Sequence, residues 1–298
     1  FITEFMKKLV VPNIEEKNSK QRTIDELPQS ADGKTIMTTQ PHFVPNEAVK
    51  IKVANAEMNV RMIDCVGYVV GGVMGHMEED KPRLVKTPWS SEELPFEEAA
   101  ELGTDKVINE HSTIGIVVTT DGSVTDIARS SYIDAEERVI AQMKKSGKPF
   151  VIVLNCKNPN TADSKKLSIA LKEKYQVPVI AMNALEMKEE DVDKVVEGVL
   201  MEFPVTSIQI KMPKWLQALD YQSDIITEIA GEMKQLSMKI NKLSDADKNQ
   251  IVFGESASFE PITVSTIEAG KGTVKFNVIP KDGLFYQVLS RECGYEIA

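Results

Sequence analysis

The run VRMIDCVG, residues 60–67, ends an apolar stretch at Asp64 and reaches Gly67 three positions later, which gives the pattern D-x-x-G. An aspartate at the carboxyl end of a strand can accept a hydrogen bond from a water molecule on Mg²⁺. The glycine lets a backbone N–H approach a terminal phosphate closely. Most D-x-x-G patterns are ordinary turns, so this one predicts a magnesium–nucleotide site only in the company of further signals.

A second candidate is the triplet Gly33-Lys34-Thr35, because the phosphate-binding loop G-x-x-x-x-G-K-[ST] ends in this way. The position that requires the first glycine is Pro28, which has no N–H to offer a phosphate. The residues before it do not read as a strand, and Pro41 follows too soon for an amphipathic helix. The context therefore excludes the triplet from the active site.

Thr38 and Thr39 lie in the polar loop that follows this triplet, one predicted hairpin before Asp64. A threonine hydroxyl at this place can complete the coordination shell of Mg²⁺ or contact the γ-phosphate. Threonine pairs are otherwise common in turns and at strand edges. We expect Thr38, Thr39 and Asp64 to form the catalytic group, with Mg²⁺ held by Thr39 and, through water, by Asp64.

Asn155 ends a buried apolar run, and Asn158 follows three positions later. GTP-binding proteins place N-K-x-D here, and the aspartate accepts two N–H groups of guanine. In this chain Asn158 replaces that aspartate and Cys156 replaces the lysine. A neutral amide cannot accept both N–H groups as a carboxylate does, so selectivity for guanine should fall and adenine becomes possible.

The next apolar run ends in Asn183 and Ala184, where nucleotide-binding proteins of this class place a small loop that contacts the base. The carboxyl ends of parallel strands meet at one edge of a sheet, so these loops should lie together. We therefore predict that Gly67, Asn155, Asn158, Asn183 and Ala184 bind the nucleotide.

The elements that must position these residues alternate between apolar runs and helical patterns. Such alternation is typical of a mostly parallel sheet with helices on both faces, the α/β architecture of P-loop NTPases. The polar stretch from 13 to 33 shows no periodicity, and 67–95 is rich in glycine and proline. The predicted elements are a hairpin at 48–53 and 59–63, strands at 114–119, 150–154 and 177–182, and helices at 96–110, 131–145, 162–175 and 188–201.

The pattern changes after Pro204, so we predict an NTPase domain at 1–204 and a smaller α+β domain at 205–298. The second domain should contain strands at 207–212, 262–267 and 273–279 and a short helix at 283–290. A long helical stripe in it favours core packing over the docking of a partner. This stripe consists of Ile225, Ile226, Ile229, Met233, Leu236, Ile240 and Leu243.

The composition excludes several classes of protein. The net charge of −10 and the pI of about 5.0 argue against a nucleic-acid partner held by general electrostatics. The three cysteines are far apart, which indicates a reducing compartment without a disulfide framework or zinc site. The three histidines have no metal-binding spacing, and no apolar run approaches the ~20 residues of a membrane span.

The first residues already repeat apolar pairs at helical spacing, with no capping residue and no initiator methionine before them. The pattern predicts a helix under way at Phe1. We expect an upstream segment that has been removed or is not shown.

Several long segments together resemble the stage IV sporulation protein A family, the ATPases of the spore-coat basement layer in endospore-forming bacteria. The resemblance is dense over residues 1 to about 204 and looser beyond. That family is similar in fold to translation-factor-related GTPases but hydrolyses ATP. The segments are FMKKLVVPNI, DELPQSADGKTIMTTQPHFVPNEAV, RMIDCVGY, KTPWSSEELPFEEAAELGTDKVINEHSTIGIVVTTDGSVTDIARSSYIDAEERVI and GKPFVIVLN.

The resemblance implies that a phosphate loop ends directly before Phe1, that Thr38 and Thr39 sense the nucleotide, and that Asp64 is the Walker B aspartate. It implies ATP and Mg²⁺ as ligands and hydrolysis that drives self-assembly into a static polymer. It places that polymer in the mother-cell cytoplasm, peripheral to the outer forespore membrane. The implied partners are further copies, a small amphipathic membrane-anchoring peptide and other coat proteins, bound partly through a C-terminal region that this chain lacks.

Two departures from the pattern matter. Without the phosphate-loop lysine, this chain should bind ATP poorly and hydrolyse it very slowly. Tyr68 follows Gly67, where several GTPases place a glutamine that orients water, and a tyrosine cannot do this.

Two functions are alternatives to that of an ATPase. One is a scaffold that binds nucleotide without turnover, and the other is a GTP-dependent switch, which Asn158 disfavours.

Overall fold

The computed structural model of the chain describes residues 1–28, 41–53, 56–78, 81–246 and 252–294. The chain divides into two compact units, Phe1–Val199 and Leu200–Ala298. The helices are α1 (Ile2–Leu9), α2 (Lys17–Asp25), α3 (Phe96–Lys106), α4 (Ile133–Ser146), α5 (Ala162–Tyr175), α6 (Glu189–Met201), α7 (Asp224–Lys239), α8 (Leu243–Ala246) and α9 (Leu284–Cys293). The strands are β1 (His42–Val53), β2 (Ala56–Asp64), β3 (Met77–Glu78), β4 (Lys81–Pro82), β5 (Leu84–Val85), β6 (Leu94–Pro95), β7 (Gly115–Thr120), β8 (Phe150–Asn155), β9 (Val179–Met182), β10 (Ser207–Lys211), β11 (Val264–Glu268) and β12 (Thr273–Asn277).

The predicted parallel sheet is present in the first unit, with the strand order β7-β8-β9. The central strand β8 is buried on both faces, as its uninterrupted apolar sequence requires. On one face Ile152 and Leu154 belong to a core that also holds residues of α4 and α5. On the other face α6 packs closely, since a Cβ at Gly198 would lie 3.2 Å from Ile180 and 3.4 Å from Val151. Helices therefore cover both faces.

The predicted hairpin is also present, but it is a separate two-stranded sheet of β1 and β2. His42 pairs with Asp64 at its open end. Among the described strands, β2 and β7 each have one neighbour, so each keeps an outer edge outside any ladder. The mostly parallel sheet expected from the sequence thus appears as a parallel sheet and an antiparallel pair.

A buried polar network fixes α4 and α5 to β7. The carboxylate of Glu136 in α4 accepts from Thr119 of β7 at 2.6 Å, from Arg129 at 2.6 Å and from Tyr175 of α5 at 2.9 Å. Glu136 is only 4% exposed, and Arg129 supplies its counter-charge while Thr119 and Tyr175 supply neutral hydrogen bonds. The network holds the helices at the sheet whose carboxyl edge carries the candidate base-binding residues.

Helix α2 was not expected, because the polar stretch from 13 to 33 carries no apolar period. The structure places Lys17–Asp25 in a helix in which only Thr23 is buried. Lysine, glutamine and arginine are good helix formers, and local propensity here outweighs the missing amphipathic pattern. The sequence patterns assigned no helix to these residues, and the structure adds one.

The second unit is an α+β fold, as predicted. Its sheet has the order β10-β12-β11, with β10 parallel and β11 antiparallel to β12. Phe276 of β12 and Phe259 are fully buried in its core. The helical stripe of the second domain packs into this core, because Ile225, Ile229 and Leu236 of α7 are buried. The part of the chain that the structure describes contains no helix with the length and apolar character of a membrane span.

Candidate functional site

Asp64 is the last residue of β2, in the position predicted for a strand-end carboxylate. Burial raises the pKa of the Asp64 carboxyl above its usual value. The positive charge of His42 acts in the opposite direction but does not cancel this effect. A partly buried carboxylate with incomplete charge compensation is a fitting ligand for a cation.

Helix α1 is anchored in the first unit by the buried Phe5 and Met6, and its first residues lie close to Asp64.

Gly67 follows Asp64 closely and adopts φ +76°, a conformation that favours glycine. A Cβ at this position would have no atom within 4 Å, so the space beside its backbone is open. This agrees with a backbone N–H that a phosphate can approach.

Tyr68 is directed toward α4. Its hydroxyl donates to Oε1 of Gln142 at 2.7 Å, and the guanidinium carbon of Arg138 lies 4.2 Å from its ring centroid. The amide of Gln142 in turn donates to Asp105 of α3 at 2.6 Å. Tyr68 thus anchors the segment after Gly67 to α4, a role that its place in the sequence does not reveal.

The carboxyl edge of the parallel sheet brings together the predicted base-binding residues. The side-chain oxygen of Asn155 accepts from the backbone N–H of Ala184 at 3.0 Å. The amide of Asn183 donates to the carbonyl of Lys157 at 3.1 Å and accepts from the N–H of Leu185 at 3.1 Å. Asn155 and Asn183 therefore shape two adjoining loops and hold them in register.

Asn158 lies where the loop after β8 turns into α5. Its backbone carbonyl accepts from the hydroxyls of Thr161 at 3.2 Å and Ser164 at 3.1 Å. Thr161 is also the N-cap of α5 and accepts from the N–H of Ser164 at 3.2 Å. The backbone of Asn158 is thus fixed, and its side chain lines the adjacent cavity.

This cavity has a volume of about 660 Å³ and lies against the loops after β8 and β9. A volume of this order is within the range of pockets that bind small ligands, ~300–1,000 Å³. Charged side chains from the start of α6 form the opposite wall. The lining consists of Lys157, Asn158, Pro159, Asn160, Thr161, Met182, Asn183, Glu186, Lys188, Glu190, Asp191 and Lys194.

The loop after β7 contributes residues that the sequence reasoning missed. Asp121 accepts from the N–H of Ser123 at 2.8 Å and from its hydroxyl at 2.6 Å. The Ser123 hydroxyl oxygen accepts from the N–H of Lys157 at 2.9 Å, which joins this loop to the one after β8. The strand-end rule that found Asn155 applies equally to Asp121, one residue beyond the end of β7.

Protein-family models match the sequence of both parts of the chain. Residues 1–204 match the family model described as Stage IV sporulation protein A, ATPase domain, and residues 205–298 match the model of its middle domain. The chain belongs to the stage IV sporulation protein A family.

Relatives within this family match along the whole chain. Stage IV sporulation protein A of Clostridioides difficile (strain 630) is 48% identical over all 298 residues, and that of Bacillus subtilis (strain 168) is 44% identical. The protein of the same name from Bacillus anthracis is 42% identical. The chain spans 61% of the length of each of these curated relatives. No solved structure matches the chain.

The match to the ATPase domain covers Asp64, Gly67 and the base-side cluster around Asn155. An ATPase domain implies a nucleotide and a divalent metal. Among the described residues no group of three or more His, Cys, Asp or Glu could hold a metal. Mg²⁺ is commonly held by one or two carboxylates together with water and substrate phosphates, and Asp64 supplies one strand-end carboxylate.

The structure does not show all the predicted site residues in contact with one another. Thr38 and Thr39 lie outside the described residues, as does the triplet Gly33-Lys34-Thr35. No hydrogen bond within the described ranges joins Asp64 to the cluster around Asn155.

Proposed function

We propose that the protein containing this chain hydrolyses ATP with Mg²⁺ and that hydrolysis drives its assembly into a static polymer, the basement layer of the spore coat. The observation that carries the nucleotide assignment is the position of Asp64 at the end of β2, followed closely by the open backbone of Gly67. The family match supports a sporulation protein with an ATPase domain. The polymer and its place in the coat are inferred from the resemblance in sequence.

In this proposal the backbone of Gly67 contacts the terminal phosphates. Asp64 would hold a water molecule of the Mg²⁺ shell, and Thr38 and Thr39 are the residues that we assign to the metal and the γ-phosphate. Bound Mg²⁺ would neutralise charge that develops on the phosphate oxygens. The tyrosine at position 68 anchors its segment to α4 and leaves the orientation of the attacking water to other groups.

The base occupies the cavity beside the loops after β8 and β9. Asn155, Asn183 and Ala184 give this cavity its shape, and Asn158 stands where GTP-binding proteins have the guanine-reading aspartate. Because the carboxylate is missing, the pocket should accept adenine. We therefore expect ATP to be preferred over GTP.

Residues 1–298 by themselves should bind ATP weakly, because the lysine and the N–H groups of a phosphate loop supply most phosphate contacts. We assign that loop to the segment directly before Phe1, as the resemblance in sequence implies. Among the described strands β2 and β7 each have a single neighbour, which is compatible with a further strand in the longer protein. We assign such a strand to the segment that leads into the phosphate loop.

We assign further copies of the same protein as the principal partner. A small amphipathic membrane-anchoring peptide and other coat proteins are the remaining proposed partners. The site of action is the mother-cell face of the outer forespore membrane, to which the protein would be peripheral. The net charge of −10 supports partners other than nucleic acid.

Single-turnover hydrolysis of ATP by the full-length protein tests the proposal. The variant Asp64→Ala should hydrolyse at least about 10-fold more slowly, the low end of the effect of losing a group that orients the metal shell. Asp134→Ala, which removes an exposed carboxylate at the start of α4, is the matched control and should retain the wild-type rate. Equal rates for wild type and Asp64→Ala would favour a scaffold without turnover. A preference for GTP over ATP in competition binding would favour a GTP-dependent switch.

A further inference from the structure

The loop that follows β7 is held in one conformation at the carboxyl edge of the parallel sheet. Gly122 in this loop adopts φ +89°, a conformation that favours glycine. A Cβ at Gly122 would lie 3.1 Å from the backbone nitrogen of Arg129 and 3.2 Å from the carbonyl oxygen of Ile127, so the loop folds back closely on itself. The N–H of Gly122 donates to the hydroxyl of Thr120, the last residue of β7, at 3.0 Å. The side chains of this loop therefore project from a fixed backbone.

Asp121 orients the hydroxyl of Ser123 on this loop. Oδ1 of Asp121 accepts from the N–H of Ser123 at 2.8 Å and from its hydroxyl at 2.6 Å. Because the hydroxyl donates its single proton to Asp121, the Ser123 oxygen is left as an acceptor toward its other neighbours. That oxygen accepts from the backbone N–H of Lys157 at 2.9 Å. A bond of defined direction thus joins the loop after β7 to the loop after β8.

The same carboxylate lies beside the hydroxyl that fixes the next residue of the second loop. Oδ2 of Asp121 is 3.4 Å from Oγ of Ser164, a residue that is 4% exposed. The hydroxyl of Ser164 donates to the carbonyl of Asn158 at 3.1 Å. The N–H of Lys157 and the carbonyl of Asn158 are the two ends of one dipeptide. Both ends are therefore held by hydroxyls that adjoin Asp121.

This dipeptide forms part of the cavity in which we place the base. Lys157 and Asn158 belong to the lining of the cavity, whereas Asp121 and Ser123 are not among its described lining residues. Asp121 and Ser123 can therefore act on a ligand only through the backbone that they hold. A loop that is ordered before the ligand arrives lowers the entropic cost of binding.

We propose that Asp121 and Ser123 are positioning residues of the base pocket, which raise the affinity for ATP by fixing the loop that carries Lys157 and Asn158. This inference rests on the proposed function, because it takes the cavity as the site of the base. Asp121 and Ser123 have no part in contacts with the phosphates or the metal. Their effect should therefore be confined to the base end of the ligand.

Displacement of a fluorescent ATP analogue from the full-length protein tests the proposal with two competitors, ATP and inorganic tripolyphosphate, both with Mg²⁺. Tripolyphosphate has a chain of three phosphates without a base, so it reports on the phosphate end alone. Asp121→Ala should raise the Kd of ATP by about 3- to 12-fold, the range expected for the loss of ordinary hydrogen bonds. The Kd of tripolyphosphate should stay unchanged.

Asp121→Asn is the matched rescue variant. It loses the same charge as the alanine variant but keeps an oxygen that can accept from Ser123, so it should bind ATP like wild type. Ser146→Ala is the control for a lost serine hydroxyl elsewhere in the first unit. The Ser146 hydroxyl donates to the carbonyl of Met143 at 2.7 Å and accepts from the N–H of Lys148 at 3.3 Å, just before β8 begins. Its removal should leave both dissociation constants unchanged.

Single-turnover hydrolysis separates positioning of the base from a general structural role. Asp121→Ala should raise the ATP concentration that gives the half-maximal rate by the same factor as the Kd, and the rate at saturating ATP should not change. A variant that merely folds poorly would lower the amplitude of the reaction without moving that concentration.

Three results would overturn the inference while ATP binding by the wild-type protein stands. They are an unchanged Kd of ATP in Asp121→Ala, equal losses in the alanine and asparagine variants, and equal losses for ATP and tripolyphosphate. A loss of amplitude at constant half-maximal concentration would also overturn it. Wild-type protein that bound no ATP would overturn the proposed function, and this inference with it, so the two failures are distinguishable.

Discussion

The side-chain oxygen of Asn155 accepts a hydrogen bond from the backbone N–H of Ala184 across 3.0 Å, and this bond ties the loop after β8 to the loop after β9. Asn183 reinforces the same junction through the carbonyl of Lys157. The two loops form one wall of the cavity in which we place the base. Asn155 therefore acts on the shape of the pocket through a neighbouring backbone group.

Asn155→Ala should weaken nucleotide binding by the full-length protein. The lost hydrogen bond is worth about 0.5–1.5 kcal/mol, which corresponds to a roughly 2- to 12-fold rise in the dissociation constant. Asn155→Asp keeps an acceptor oxygen at the same place and should retain most of the affinity. Isothermal titration calorimetry measures both variants. Equal weakening by alanine and aspartate would contradict a role of this acceptor.

Asn158→Asp should shift the preference of the pocket toward GTP. The new carboxylate can accept from the two N–H groups of guanine, while it offers nothing to adenine. A gain of one to two hydrogen bonds to a charged acceptor is worth about 1.5 kcal/mol or more, so the ratio of GTP to ATP affinity should rise at least about 10-fold. Competition binding in the full-length protein gives this ratio.

Asn160→Asp is the control for this change, since Asn160 lines the same cavity and acquires the same charge. It should lower the affinity for both nucleotides without altering their ratio. If both aspartate variants shifted the ratio alike, general electrostatics would explain the effect and Asn158 would have no special place.

Glu136→Ala should strongly destabilise the first unit. The change leaves Arg129 without its buried counter-charge and Tyr175 without the acceptor of its hydroxyl. Removal of one partner from a buried ion pair costs about 3–5 kcal/mol. Glu137→Ala on the same helix removes an exposed pair with Lys174, which is worth about 0–1 kcal/mol. Urea denaturation of both variants measures the two losses, and losses of similar size would contradict the assigned role of the network.

The sequence predicted those parts of the site that depend on local order along the chain. The runs before Asn155 and Asn183 are continuous and apolar, so they had to be buried strands, and parallel strands bring their carboxyl ends together. The same reasoning located Asp64 at the end of β2. The helical spacing of Ile225, Ile229 and Leu236 likewise predicted a buried face, and these side chains lie in the core of the second unit.

Contacts between residues that are distant in sequence could not be predicted in this way. The partner of Tyr68 is Gln142, 74 positions later, and nothing in either local sequence indicates the pair. The network of Glu136 joins three elements through side chains of ordinary types. Helix α2 was missed because its stability derives from propensity rather than from an apolar face.

Asp64→Asn should stabilise the nucleotide-free chain while it removes the proposed metal-orienting group. Burial raises the pKa of the Asp64 carboxyl in the folded protein, so the folded state binds this proton more tightly than the unfolded state. The resulting stabilisation is complete below the unfolded value near 3.8 and is lost as pH rises through the higher folded value. At neutral pH the buried charge is therefore a cost that the neutral amide avoids.

The melting temperature of Asp64→Asn should exceed that of wild type at pH 7, by about 2–4 °C for each kcal/mol of relieved burial. The difference should shrink at pH 4, where the wild-type carboxyl increasingly takes up its proton. Thermal denaturation of residues 1–298 at both pH values measures it, and Asp134→Asn serves as the control at an exposed position. A variant that is less stable than wild type at pH 7 would show that the Asp64 charge is already well compensated within the protein. The carboxylate would then have no unmet need for a cation, and the site would lose its main qualification for Mg²⁺.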